Sequence, residues 1–130
     1  MESNYDWPKK TPYEGGLFTI RISFPFDYPS HGPDFKFCNR VYHLNVDLTS
    51  QNTLGHISLN FLNEWRSTGK VYEKPVYGVK QALFDIFCLF YNQNVCDAYN
   101  SEMGRLYRDN RKRFNEVAKE WTIKYAKSQI

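Results

Sequence analysis

Leu17-Phe18-Thr19-Ile20-Arg21-Ile22-Ser23-Phe24 runs directly into Pro25-Phe26-Asp27-Tyr28-Pro29, and how this stretch is read decides the fold. The first eight residues alternate. Phe18, Ile20, Ile22 and Phe24 face one way while Thr19, Arg21 and Ser23 face the other, the period-two pattern of a half-buried strand. The prolines break it, since proline cannot donate to a strand ladder, and Gly32-Pro33 makes a second break. Phe35 and Phe37 then alternate again in a short second strand. Two neighbouring strands joined by a proline-rich turn predict an antiparallel meander.

Outward from there, residues 1–16 are turn-rich, punctuated by Pro8, Pro12, Gly15 and Gly16. Residues 39–75 read mostly as loop. An irregular stretch of that length in a small domain is usually functional, and it holds His43, Asn45, Gly55, Ser58 and Trp65. Helical spacing begins after Pro75, a residue suited to a helix start, with Val79, Leu83, Ile86, Phe87 and Phe90 as its apolar stripe. Asn92 to Asn100 interrupts it. Phe114, Val117, Ala118, Trp121 and Tyr125 form a second stripe with charged residues mainly off it, which predicts an amphipathic helix. Strands first and helices later give an α+β class, with helices gathered at one side or end of an antiparallel sheet.

The chain of 130 residues is the size of one compact domain, and residues 1–130 are expected to form a single unit. It is 42% hydrophobic and 18% aromatic, far from a disordered composition. No stretch nears the roughly 20 apolar residues that span a bilayer, and the start lacks a signal pattern. A soluble protein of the cytoplasm, the nucleus or both is expected. Cys38, Cys88 and Cys96 make an odd count with no Cys-x-x-Cys pair, so neither a disulfide framework nor a metal cluster is expected, and no cofactor. Cys88 is expected to be buried, whereas Cys38 ends a strand. The net charge of +3 is uneven: residues 105–130 hold eight Lys or Arg against three acids. That tail reads as a solvated helix face or as a contact for nucleic acid or another acidic partner.

Several segments resemble the ubiquitin-conjugating enzyme family. Thr11-Pro12-Tyr13-Glu14-Gly15-Gly16-Leu17-Phe18 resembles its strand entry, and Phe24-Pro25-x-x-Tyr28-Pro29 the proline turn that follows. Tyr42-His43-Leu44-Asn45 is similar to the His-Pro-Asn motif, and Gly55-His56-Ile57-Ser58-Leu59-Asn60 to the segment carrying the active cysteine. Trp65, Arg105-Leu106-Tyr107 and Glu120-Trp121-Thr122-x-Lys124-Tyr125-Ala126 match in the same order, so the likeness runs from about residue 11 to residue 127.

The resemblance implies a sheet flanked by helices and a carrier that holds ubiquitin or a related modifier as a thioester and passes it to lysine. Such a carrier needs a thiolate, and a donor for the oxyanion formed when an amine attacks. By match to the motif, Asn45 is that donor or braces the loop that positions it. His43 fixes the same loop through backbone hydrogen bonds, and Asp97 is the acidic gate residue. Pro29, Ser30, Pro75 and Val76 fall on the two ligase-facing turns, although Ser30 stands where many members place an apolar residue. The implied partners are the modifier, an activating enzyme and a ligase, or an active conjugating enzyme.

Ser58 is the departure that matters. A serine hydroxyl is hardly ionised near neutral pH, and an oxyester is far less reactive toward lysine than a thioester, so thioester turnover is expected to fail. Two origins fit: a natural serine in a non-catalytic relative, or a deliberate replacement of cysteine. Leu44 replaces the motif proline, the Val46–Ile57 loop is long, and an insertion spans about Arg66 to Lys74. Only about ten residues precede the Tyr13-Glu14-Gly15-Gly16 segment, so the family's N-terminal helix is expected to be missing. Cys96, beside Asp97, is an incidental loop thiol or a substitute nucleophile. The functional alternatives are therefore a carrier in serine-substituted form, a non-catalytic binding module, and, more remotely, a nucleic-acid binder using the basic C-terminal helix.

Overall fold

The computed structural model describes residues 10–48, 54–59, 65 and 75–126. The expected absence of an N-terminal helix, the insertion near 66–74 and the middle of the long loop lie outside the described residues. Two strands, β1 (Ile20–Ser23) and β2 (Asp34–Phe37), pair antiparallel with Ile20 opposite Phe37 and Ser23 opposite Asp34. Helix α1 (Pro75–Tyr91), a 3₁₀ turn (Val95–Asp97), α2 (Ser101–Asp109) and α3 (Arg111–Tyr125) follow. The class is α+β, as the order of patterns predicts.

The alternation works as expected on β2, where Phe35 and Phe37 are buried between the half-exposed Asp34 and Lys36. On β1, Ile20 and Ile22 are half-buried against that core. Phe24 departs from the expectation. The strand stops at Ser23, and the Phe24 ring is more than half exposed, edge-on to Tyr28 at 4.8 Å. The segment after the loop adds to the sheet through bridges Lys36–His56 and Val46–Ile57, with Phe37 N–H donating to the Gly55 carbonyl at 2.8 Å. Residues 55–58 are thus wedged between β2 and the 45–47 stretch.

Helix α1 turns Ala82, Ile86 and Phe90 onto this core at four-residue spacing. Leu83, expected in the stripe, is largely exposed, as is Phe84. The buried line runs through the small Ala82 instead, about 100° round the helix from Leu83. Cys88 is also exposed, a correction with the same cause: it lies two residues beyond Ile86, on the far side of the helix.

Asn100 caps α2 by accepting from the N–H groups of Glu102 and Met103. Asn110 both ends α2 and caps α3, accepting from Arg113 N–H at 3.2 Å. A cap of this kind is worth about 1 kcal/mol. Helix α3 buries Phe114, Ala118 and Thr122, and Tyr42 stacks on Phe114 and Trp121 at 5.0 and 5.2 Å. Leu17 N–H donates to the Ala126 carbonyl at 2.8 Å, so the end of α3 is tied to the strand entry. Trp65 is wholly buried, as a core role requires, and its indole N–H donates to the Pro29 carbonyl.

Candidate active site

The loop after β2 descends into the core, and its polar residues are buried with their partners supplied. His43 is 2% exposed. Its Nδ1 accepts from the Asn45 N–H at 3.0 Å, so Nε2 carries the proton and donates to the Leu89 carbonyl on α1 at 2.8 Å. Burial pushes its pKa from 6.5 down to about 4, the Leu89 carbonyl opposing this only in part. The imidazole is neutral at pH 7 and serves as a strut.

Asn45 is fully buried two residues on. Its side-chain Oδ1 accepts from Asn94 N–H at 2.9 Å, and Nδ2 donates to the carbonyls of Asn94 and Asp97 at 2.9 and 3.3 Å. Both amide protons are therefore spent on the loop beyond α1. In this geometry the Asn45 side chain holds the loop beyond α1. The Asn45 carbonyl accepts from Ser58 N–H at 2.9 Å, so the same residue holds the 55–58 segment from the other side.

Asp97 sits in the 3₁₀ turn, half-exposed, with Oδ2 accepting from Asn94 Nδ2 at 2.9 Å. His43, Asn45, Asp97 and Ser58 are thus joined through backbone and side-chain bonds within one network. Pro29 and Ser30 lie apart on the exposed turn after Tyr28. Pro75 and Val76 form the start of α1, and their side chains are outside what is described. Cys96 is exposed on the 3₁₀ turn, its N–H donating to Asn94 Oδ1 at 3.1 Å.

Three further residues complete the arrangement: Gln93, outside every motif, and Tyr13 and His56, which stand in the motif segments without a role assigned to them. Gln93, buried, accepts from Leu44 N–H and donates to the hydroxyl of Tyr13, each at 2.8 Å. Tyr13 in turn donates to the Tyr42 carbonyl, and burial pushes its pKa well above 10. His56 shares the outward face with Ser58, since residues two apart on an extended segment point the same way. Its Nε2 meets Asp34 Oδ1 at 2.6 Å and its Nδ1 meets the Tyr99 hydroxyl at 3.0 Å. Both ring nitrogens are engaged by Asp34 and Tyr99, so this imidazole is not positioned to take the serine proton. A signal for these residues exists only in part: the amide-rich run Asn92-Gln93-Asn94 and the two-residue spacing of His56 from Ser58.

The family model for ubiquitin-conjugating enzymes matches residues 3–122. Among solved structures, a chain from Plasmodium yoelii assigned as a ubiquitin conjugating enzyme is similar at 30% identity and a TM-score of 0.74, covering 94% of this chain and 72% of that one. A Toxoplasma gondii ubiquitin conjugating enzyme E2 domain is similar at 33% identity with the same TM-score, covering 94% and 77%. Fold and sequence together define the class: an α+β domain of ubiquitin-conjugating type. The chain belongs to the ubiquitin-conjugating enzyme family.

Proposed function

We propose that this chain is a ubiquitin-conjugating carrier for ubiquitin or a ubiquitin-like modifier, with Ser58 in the place of the nucleophilic cysteine. One observation carries the reading: the Asn45 clamp, which fixes the gate loop on one side and the Ser58 segment on the other. In the carrier reading the clamp holds residue 58 and Asp97 at fixed separation while a modifier tail lies between them. Asp97 then orients the incoming lysine, and Pro29, Ser30, Pro75 and Val76 face the ligase. The chain as one domain of the cytoplasm, the nucleus or both, charged by an activating enzyme, completes the proposal.

With serine at 58 the carrier does not turn over. The hydroxyl is weakly acidic, and His56 is held by Asp34 and Tyr99 rather than by Ser58. Restoring sulfur should restore chemistry. The test is to incubate the chain and Ser58→Cys with activating enzyme, ATP and modifier. The cysteine form is expected to give an adduct cleaved by thiol, and the serine form none of that kind. A cysteine form that folds yet accepts no modifier, beside an active control enzyme, would overturn the carrier reading in favour of a non-catalytic binding module.

A further inference from the structure

The outward face of the β1–β2 ribbon brings two cations together, with Asp34 on the same face turned to His56. Register places Arg21 directly opposite Lys36, and like charges in a cross-strand pair work against the sheet. Arg40 stands beside them, its guanidinium 5.8 Å from the Tyr125 ring centroid, and Lys124 reaches the same ring at 5.2 Å. Between them opens a groove of about 410 Å³ lined by Arg21, Lys36, Arg40, Asn39, Leu48 and Leu54.

Among the described residues, no carboxylate lines this groove. Asp34, two positions along β2 from Lys36, is held by His56 at 2.6 Å. Asn39 is spent on the backbone, accepting from Thr19 N–H and donating to the Tyr125 carbonyl. What faces the groove is three cations and an aliphatic wall. A cleft lined by one sign of charge concentrates ligands of the other, and a guanidinium fork suits carboxylates.

We propose that this groove docks an acidic segment of a protein partner: an extended stretch bearing several Asp or Glu and an aliphatic side chain for the Leu48–Leu54 wall. Nucleic acid fits it less well. Phe37 is buried beneath the groove and the Tyr125 ring is flanked by Arg40 and Lys124, which leaves no open aromatic at the groove among the described residues for a base to stack on. The proposal does not depend on the chemistry at position 58.

The test uses the intact chain and fluorescence anisotropy. The probe is a labelled twelve-residue peptide with five Glu around a central Leu-Leu pair; its Gln-for-Glu counterpart and a twelve-nucleotide single strand of DNA are the comparisons. Binding of the acidic peptide is expected to weaken with salt. The R21E/K36E double variant should weaken it at least about tenfold. K112E/K119E, which removes as much charge from the exposed face of α3, should change it less than about twofold. Should R21E/K36E not fold, R21Q/K36Q serves, with the same direction expected. No binding of the acidic peptide would overturn the proposal. So would equal binding of the Gln peptide, equal loss in both charge variants, or tighter binding of the DNA.

Discussion

The side chain of Asn45 and the backbone of Asn94 form a reciprocal pair: Oδ1 accepts from the Asn94 N–H at 2.9 Å while Nδ2 donates to the Asn94 carbonyl at 2.9 Å. An amide side chain here stands in for a strand neighbour, pairing with one peptide unit through both of its groups. The residues are 49 apart in sequence, so the bond closes the loop after α1 onto the loop after β2. Only a primary amide supplies donor and acceptor in this geometry.

Asn45→Asp keeps the shape and the acceptor but removes both donors, setting a carboxylate against the carbonyls of Asn94 and Asp97. Two part-buried acceptors lose their partner and a charge is buried with no counterion. A loss of about 3 kcal/mol is expected, read as a lower urea midpoint with unchanged slope. Amide exchange at Asn94 and Ser58 should quicken in the variant. An Asn94 amide as protected as in the parent would mean that the clamp does not hold the loop.

His43 makes stability depend on pH. Its folded pKa, near 4, lies below the ordinary 6.5 because burial disfavours the charged ring. Between these values the unfolded chain binds a proton that the folded chain refuses. The contribution is complete above pH 6.5 and is lost as pH falls toward 4, for a total of about 3 kcal/mol. Urea midpoints of the parent and His43→Gln at pH 7.5 and 4.5 check this, since carboxylate titration is common to both proteins. The parent should lose more stability on acidification than the variant. Equal losses would contradict a neutral, buried imidazole.

Much of this arrangement was legible in the chain itself, and the reasons for the rest are specific. Alternation at Phe35 and Phe37 and the stripe at Phe114 and Ala118 report burial correctly because large apolar residues there have one good place to go. Leu83 misled, since the core line of α1 passes through Ala82, whose small side chain gives a weak apolar signal. Phe24 misled because a strand ending one residue early frees its last side chain to lean on Tyr28. Motif order brought His43, Asn45, Ser58 and Asp97 into view. Gln93, Asn94 and His56 stayed hidden because their partners, Tyr13, Asn45 and Tyr99, are 80, 49 and 43 residues away. No local pattern encodes such pairs.

Tyr13→Phe tests the second layer of the network. The hydroxyl donates to the Tyr42 carbonyl and accepts from Gln93 Nε2, while Gln93 holds Leu44 N–H with its oxygen. Removing one oxygen leaves a buried donor and a buried acceptor without their partner, and the ring contacts with Phe18 and Phe90 persist. A cost of about 2 kcal/mol is expected. A double-mutant cycle with Gln93→Leu should show coupling of about 1 kcal/mol, because the pair shares one bond. Strict additivity would mean that Tyr13 and Gln93 act separately.

Gly55 and Gly15 separate backbone strain from steric exclusion. Both have positive φ, +85° and +82°, where a side chain is disfavoured. A Cβ on Gly15 would meet nothing within 4 Å, so Gly15→Ala is expected to cost only the backbone preference, about 1 kcal/mol. A Cβ on Gly55 would lie 2.2 Å from the Phe37 carbonyl oxygen, and that oxygen is main chain and cannot swing away. Gly55 also accepts from Phe37 N–H at 2.8 Å and donates to the Asp47 carbonyl at 2.7 Å. Accommodating the methyl group therefore means breaking the bonds that seat residues 55–58 against β2. Gly55→Ala should cost more than about 3 kcal/mol, and amide exchange at Phe37 and Ser58 should quicken with it. Similar melting temperatures for the two alanine variants would show that the approach of Gly55 to Phe37 does not hold the Ser58 segment in place.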